Sequence, residues 1–135
     1  MKLITRDIDY AIRALSYIAT NNSGEAVTVT RLVKETKIPK PFLRKILQIL
    51  GKEGLLKSFK GKSGGFKLNR DPKDILLLDL VEIFQEKFEF NKCMFKKKIC
   101  PNTEKCVLKD KLDRIGKMVE KEFAKITLES IIKGR

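Results

Sequence analysis

The chain has 135 residues and a formal net charge of +13, with 42% hydrophobic and 35% charged residues, an ordinary balance for a soluble protein. This length fits one domain, or one domain with an appended element. No apolar run approaches the roughly 20 residues that cross a bilayer, and residues 1–4 do not read as a signal peptide, so we expect a cytoplasmic protein that does not contact membranes.

Two short amphipathic helices are predicted at the start of the chain. Apolar residues recur on one helical face from Asp9 to Ala19, and the polar sequence 21–24 then breaks the helix. Thr28 or Thr30 is suited to cap a second helix, which we expect to end at 34 or 35.

A third helix is expected to open at Pro39 or Pro41 and to end within 51–54. Its predicted buried residues are Phe42, Leu43, Ile46, Leu47 and Leu50. Two helices joined by a tight turn, with polar or basic residues at the start of the second, are typical of a helix-turn-helix. The third helix is therefore the predicted DNA-reading helix.

Two β-prone segments, 55–59 and 66–68, flank the glycine-rich polar sequence 60–65 and predict a hairpin. A basic hairpin directly after a helix-turn-helix is interpreted as a wing, and an ordinary flexible hairpin is the alternative. Lys60 and Lys62 at its tip are placed to reach phosphates or a minor groove. A phosphate-binding P-loop is excluded, because its glycine–lysine spacing is missing and no helix follows directly.

Two further helices are predicted, over 74–84 and over 107–126. The second carries apolar residues at nearly heptad spacing, namely Leu108, Leu112, Ile115, Val119, Phe123 and Ile126. This stripe predicts that two copies of the chain pair as a homodimer, with Ile131 and Ile132 as further candidates for the interface. Packing only within the chain is the alternative.

The expected architecture is mainly α with a small β-hairpin wing. It divides into a winged helix-turn-helix DNA-binding domain (1–84), a cysteine-bearing sensor loop (85–107), and a long dimerisation helix with the C-terminal segment (108–135). Such a chain places a candidate sensor segment between the DNA-binding domain and the predicted dimer interface.

Positive charge is concentrated in one part of the chain. Residues 31–73 carry thirteen basic and three acidic side chains, whereas the segments before and after it are nearly balanced. A solvated face usually mixes charges, so a block of one sign favours a polyanionic partner. Nucleic acid is the favoured partner, with a membrane surface or a merely soluble face as the alternatives.

All three cysteines, Cys93, Cys100 and Cys106, fall within one lysine-rich segment of fourteen residues. An odd number of cysteines cannot form a self-contained disulfide framework, and thiolates are soft ligands for iron–sulfur clusters, zinc or copper(I). Zinc sites usually use CxxC pairs or histidine, and this chain has neither. An iron–sulfur cluster with mixed ligation is favoured, and the alternatives are a thiol redox switch, zinc or no site.

Several motifs follow one another in a specific order along the chain. They are Asp9 to Leu15, Ile38 to Leu50, Gly54 to Ser58 with Gly61 and 64–66, the three cysteines, and Ile126 to Leu128. Together they resemble the Rrf2 family of bacterial winged-helix regulators, the group that includes IscR, NsrR and CymR. The resemblance covers nearly the whole chain.

The resemblance implies a homodimer that binds a double-stranded, pseudo-palindromic operator, with the third helix in the major groove and the wing in the minor groove. Repression is the expected outcome. The nominated DNA-contacting residues are Lys40, Pro41, Arg44, Lys45, Lys57, Lys60 and Lys62. Arg44 stands where IscR-like members carry an acidic base-reading residue, so a different operator sequence is expected. Lys60 replaces the usual arginine at the wing tip.

The resemblance also implies a 2Fe–2S or 4Fe–4S cluster held by Cys93, Cys100 and Cys106. Their spacing is C-x6-C-x5-C, with one residue more than the two x5 intervals of many cluster-binding members. Ligation is expected to order the segment 91–107 and so to change operator affinity.

The fourth ligand is open. Lys109 stands where IscR-like proteins use a histidine, and Asp9 matches the aspartate ligand of NsrR-like proteins. A helix N-cap is the alternative role for Asp9. The other candidate ligands are Asp7, Glu104 and Asp110.

The predicted function is a sequence-specific, DNA-binding transcriptional regulator whose operator affinity depends on the cluster, and not an enzyme. The main alternative is a regulator without a cluster that responds through thiol oxidation or a partner protein, as CymR-like members do. A small iron–sulfur redox protein is a weaker alternative, because the chain has no histidine, no nucleotide-binding loop and no paired catalytic carboxylates.

Overall fold

Helices dominate the described part of the chain, which in this computed structural model comprises residues 4–21, 24–62, 64–85 and 106–134. The helices are α1 (Arg6–Thr20), α2 (Val29–Thr36), α3 (Lys40–Lys52), α4 (Leu77–Gln85), α5 (Val107–Lys125) and α6 (Leu128–Lys133). The strands β1 (Leu56–Phe59) and β2 (Gly65–Leu68) form an antiparallel hairpin, and Pro72–Asp74 forms a 3-10 turn.

Helix α1 begins three residues before its predicted start. Thr5 is the N-cap, and its side-chain oxygen accepts a hydrogen bond from the backbone N–H of Ile8 at 3.4 Å. This cap lies ahead of the apolar periodicity, which is why periodicity alone placed the start too late. The helix ends at Thr20, before the predicted break, and fully buries Ile8, Ala11 and Leu15.

The helix-turn-helix forms as predicted. Thr28 caps α2 by accepting a hydrogen bond from the backbone N–H of Arg31 at 3.1 Å, and Lys37 ends the helix with a left-handed backbone, at φ 63°. Pro39 is the N-cap of α3. The turn that joins α2 to α3 thus comprises only residues 37–39.

Helix α3 buries Leu43, Ile46, Leu47 and Leu50 against the body of the protein. The prediction that Phe42 is also buried is wrong, since 39% of this residue is exposed. Phe42 precedes Leu43 in the first turn and points about 100° away from it around the helix, so it falls off the buried face.

The wing is joined firmly to the body at its base. Strands β1 and β2 pair in the register Leu56↔Leu68, and β2 also bridges to Val27, in the connection between α1 and α2. Val27 donates to the Phe66 carbonyl at 2.9 Å and accepts from the Phe66 N–H at 2.8 Å. The hairpin is therefore held against the helix-turn-helix along one edge.

The C-terminal part of the chain returns to the same core. The N–H of Leu77 donates to the Ile126 carbonyl at 2.9 Å, and the N–H of Leu128 donates to the Ile75 carbonyl at 2.8 Å. These two bonds join the start of α4 to the end of α5. Leu128 is buried in the core, and α6 packs on α1.

This return changes the interpretation of the apolar stripe. Phe123, Ile126 and Ile132 are partly buried against the core of their own chain, which for these three residues favours the alternative of packing within the chain. The bonds at Leu77 and Leu128 hold the end of α5 there. The predicted boundaries of α5, 107–126, are correct to within one residue, since the helix spans Val107–Lys125.

Candidate nucleic-acid interface and cysteine segment

The predicted DNA-contacting residues of α3 lie together on its exposed face. Lys40, Pro41, Arg44 and Lys45 are all exposed, within the first six residues of the helix. The buried face described above holds α3 rigidly from the other side. The first turns of α3 thus present side chains on a fixed support, as a reading helix requires.

The wing carries the other predicted contacts. Lys57, Lys60 and Lys62 are exposed. Lys57 lies directly opposite Lys67 in the hairpin register, and like charges in opposed positions destabilise a hairpin. The Nζ of Lys67 also lies 5.5 Å from the centroid of the exposed Phe59 ring.

The basic side chains of 31–73 form what we call the basic surface. Twelve of the thirteen are exposed, and the exception, Lys67, is half-buried. None of them makes an ion pair within the described ranges. Elsewhere in those ranges the bases Arg13, Lys109, Lys125 and Lys133 each pair with a carboxylate three or four residues away on the same helix.

This contrast shows that the surplus charge is mostly exposed and is not paired with carboxylates among the described residues. A surface with many unpaired cations binds a polyanion by releasing its counterions. The sequence had located this charge, and the structure adds that the side chains are available.

Two aromatic–cation contacts near the basic surface were not predicted. The guanidinium carbon of Arg6 lies 4.5 Å from the centroid of the Phe42 ring, and that of Arg31 lies 5.6 Å from the Tyr17 ring. The partners are in different helices, so no sequence spacing pointed to them.

Of the three predicted cysteine ligands, Cys106 is described. It is half-buried and is the N-cap of α5, where its Sγ accepts a hydrogen bond from the backbone N–H of Lys109 at 3.4 Å. Helix N-termini favour negative charge, and a cysteine that ligates a metal does so as a thiolate. Cys106 therefore fits a ligand role. Cys93 and Cys100 lie outside the described residues, and no group of three or more metal-binding side chains converges within the rest.

Asp9 does not cap α1. That role belongs to Thr5, so the alternative of a helix cap is wrong. The Oδ2 of Asp9 instead accepts from the Nη2 of Arg13 at 3.0 Å, with the two side chains 46% and 50% exposed. The carboxylate is accessible from solvent and is engaged in a surface ion pair.

The first twelve residues of α5 carry an apolar face that is exposed in the single chain. We call Val107, Leu108, Ile115 and Met118 the exposed α5 stripe, and their exposed fractions are 66%, 66%, 44% and 62%. Leu108 and Ile115 were predicted, whereas Val107 and Met118 were not. Among the described residues, no helix is long and apolar enough to cross a membrane.

Comparison with known families settles what kind of protein this is. The model of the Rrf2 family, described as an iron-dependent transcriptional regulator, matches residues 4–134. The chain belongs to the Rrf2 family. The match spans the helix-turn-helix, the wing, the cysteine segment and α5, so the predicted family resemblance is confirmed.

Rrf2-family relatives align over most of their length. A protein of Aquifex aeolicus named as an HTH-type transcriptional regulator is 31% identical over 127 residues, which is 93% of this chain and 88% of the relative. The HTH-type transcriptional regulator NsrR of Bacillus subtilis is 29% identical over 136 residues, which is 100% of this chain and 92% of NsrR.

Solved structures show the same fold. CymR, the global cysteine regulator of B. subtilis, superposes with a TM-score of 0.83 at 17% identity, covering 100% of this chain and 99% of that one. IscR of T. potens gives 0.76 at 23% identity, covering 99% and 88%. The predicted fold class is thereby confirmed, and the Rrf2 family makes the protein a DNA-binding transcriptional regulator, not an enzyme.

Proposed function

We propose that this Rrf2-family regulator binds a pseudo-palindromic operator as a homodimer and acts as a repressor in the cytoplasm, where that DNA is. In each subunit α3 enters the major groove and the wing reaches the adjacent minor groove. The observation that carries this proposal is the basic surface, with twelve exposed cations in 31–73 and no ion pair to any of them within the described ranges.

The contacts divide by chemistry. Arg44 lies in the first turns of α3 and offers a planar fork of donors that matches the edge of a guanine. Lys40, Lys45, Lys57, Lys60 and Lys62 offer point charges, which suit phosphates. Pro41 belongs to the same exposed face and makes apolar contact. Arg44 therefore carries sequence preference, and the lysines carry general affinity.

The exposed α5 stripe is the proposed dimer interface. Leu108, Ile115 and Met118 lie on one side of the helix at spacings of seven and three residues. Their solvent exposure in a single chain is unfavourable, since each large apolar side chain gains about 1.5–3 kcal/mol from full burial. A second copy of α5 supplies a matching apolar face and also gives the two-fold symmetry of a palindromic operator.

We also propose that Cys93, Cys100 and Cys106 hold an iron–sulfur cluster and that Asp9 is the fourth ligand. The support is the position of the Cys106 sulfur at the α5 N-terminus, together with the iron-dependent description of the family. The Asp9–Arg13 pair is no obstacle, because an ion pair this exposed contributes only about 0–1 kcal/mol. When bound, the cluster supplies a centre that reacts with oxidants or small ligands.

The position of Cys106 suggests how ligation affects DNA binding. Cys106 caps the first turn of α5, and that same turn carries Val107 and Leu108 of the exposed α5 stripe. A change at the Cys106 sulfur therefore alters the end of the proposed dimer interface. The spacing of the two reading helices depends on that interface, so operator affinity follows it. A coupling of about 1–3 kcal/mol would change affinity by roughly 5–150-fold.

The test is anaerobic purification with iron and sulfide analysis, followed by footprinting on the protein's own promoter region. We expect coloured protein with visible absorbance that is lost in a triple Cys93→Ser, Cys100→Ser, Cys106→Ser variant, and we expect the footprint to differ between the two. Colourless, iron-free protein after anaerobic reconstitution would contradict the cluster. Reversible oxidation of Cys106 in that iron-free protein, with a change in the footprint, would favour the regulator that responds through its thiols.

A further inference from the structure

One exposed arginine lies beside the reading helix but outside both the helix-turn-helix and the wing. Arg6 is the first residue of α1 and is exposed. Its guanidinium carbon lies 4.5 Å from the centroid of the Phe42 ring, and Phe42 is the third residue of α3. This contact places a cation from α1 against the first turn of α3.

Among the residues that the structure describes, no carboxylate pairs with Arg6. Asp7 is adjacent in sequence, but neighbouring residues of a helix do not face each other, and Asp9 is occupied by Arg13. A guanidinium stacked on an aromatic ring keeps its N–H edge free to bind an anion.

The contact with Arg6 also explains why Phe42 is exposed. A large apolar side chain at the start of a reading helix is unfavourable in water, yet the Phe42 ring provides the surface on which Arg6 lies. The ring restricts the rotamers of Arg6 before any ligand binds, and such preorganisation lowers the entropy lost on binding.

We propose that Arg6 contacts a DNA phosphate and that Phe42 positions it, so that the first turn of α1 is a third element of the DNA interface. This inference rests on α3 being the reading helix. A major groove is about 12 Å wide and is bordered by phosphates on both sides. A cation held against the first turn of α3 therefore lies near one of those borders when α3 occupies the groove.

The test measures dissociation constants between 50 and 200 mM salt for Arg6→Ala, Arg6→Lys and Phe42→Leu, on the promoter duplex and on an unrelated duplex. Arg6→Ala should weaken binding to both duplexes and reduce the slope of log K against log salt by about 0.9 per reading helix, because one phosphate contact is lost. Arg6→Lys should keep the slope. Phe42→Leu should keep it too, while weakening binding about 2- to 5-fold because Arg6 loses its platform.

Lys117→Ala is the matched control, since it removes one exposed charge from α5, on the side opposite Leu108, and should leave binding unchanged. If Arg6→Ala lowers the melting temperature and leaves the slope unchanged, Arg6 only ties α1 to α3 and the inference is wrong. The inference also fails if neither quantity changes.

Arg44→Ala, measured in parallel, separates this inference from the proposed function. If Arg44→Ala changes sequence preference while Arg6→Ala leaves the slope unchanged, α3 still reads DNA and only the α1 contact is wrong. If neither variant has an effect on binding, the placement of α3 in the groove is wrong as well.

Discussion

Arg44 and Lys60 are both exposed and both positively charged, yet their expected contributions to DNA recognition differ. Arg44 sits on a helix whose opposite face is fully buried, so its donors are presented in a defined direction. Lys60 follows β1 and carries a compact charge on a flexible side chain. The first suits the edge of a base, and the second suits a phosphate.

Replacing Arg44 with alanine should therefore reduce sequence preference. We expect a loss of about 1–3 kcal/mol on the preferred operator and relaxed discrimination at one base pair in each half-site. Lys60→Ala should instead weaken binding to every duplex and reduce the salt slope by about 0.9 per wing. Binding to an operator library at two salt concentrations measures both effects. Equal losses on all sequences for Arg44→Ala would contradict its base-reading role.

For single residues, the sequence indicated candidate DNA-contacting side chains but not the contacts between side chains of different helices. Lys40, Arg44 and Lys45 were nominated as DNA contacts from the family resemblance, and all three are exposed on α3. The contact between Arg6 and Phe42 joins two helices that are distant in the sequence. Local periodicity contains no information on such a pair, because it depends on how α1 and α3 pack.

The attachment of the wing to the rest of the fold depends on a close approach at one backbone position. Gly65 opens β2 at φ +148°, and a Cβ placed there would lie 2.4 Å from the Val27 carbonyl oxygen. The two hydrogen bonds between Val27 and Phe66 require this close approach. A side chain at 65 would therefore separate the wing from the connection between α1 and α2.

Gly65→Ala should lower the free energy of unfolding by about 2–3 kcal/mol, through backbone strain and the clash with Val27. Gly51→Ala is the control, since nothing lies within 4 Å of the added Cβ and alanine is favoured over glycine inside a helix by roughly 0.5–1 kcal/mol. Urea unfolding of both variants measures the difference. A Gly65→Ala protein as stable as the parent would mean that the wing is not held at Val27.

Comparing the predicted helices with the observed ones shows which element boundaries the sequence could predict. Thr28 was identified as a cap because a hydroxyl residue precedes an apolar pattern. Thr5 was missed because the polar residues Arg6 and Asp7 separate it from the first apolar repeat. The start of α4 was placed at 74 instead of Leu77, because the apolar residues Ile75 and Leu76 continue the helical pattern, although Ile75 is extended and Leu76 bridges to Thr127.

In the whole molecule, α5 has two different ends. Its C-terminal end packs on the core through Phe123, whereas its first twelve residues present the exposed α5 stripe. A heptad-like pattern in the sequence could not distinguish these parts, since both give the same apolar spacing. The distinction depends on the two backbone bonds that hold the end of α5 at the start of α4.

The double variant Leu108→Glu, Ile115→Glu should convert the proposed dimer into a monomer, because four like charges would then meet at one interface. Helical content should stay unchanged, as neither residue is buried in its own chain. Operator affinity should fall at least 10-fold, since each half-site would then be bound separately. Light scattering with circular dichroism checks this, with Lys117→Glu as the control. A double variant that is still dimeric would place the interface elsewhere.

An antiparallel β-bridge pairs Leu76 with Thr127, so the two ends of the segment 76–127 lie side by side. Residues 86–105 lie between α4 and α5 in the sequence, and the bonds of Leu77 to Ile126 and of Leu128 to Ile75 hold the two ends of 76–127 together. We therefore expect that an interval of different length or composition would leave the DNA-binding part of the fold unchanged.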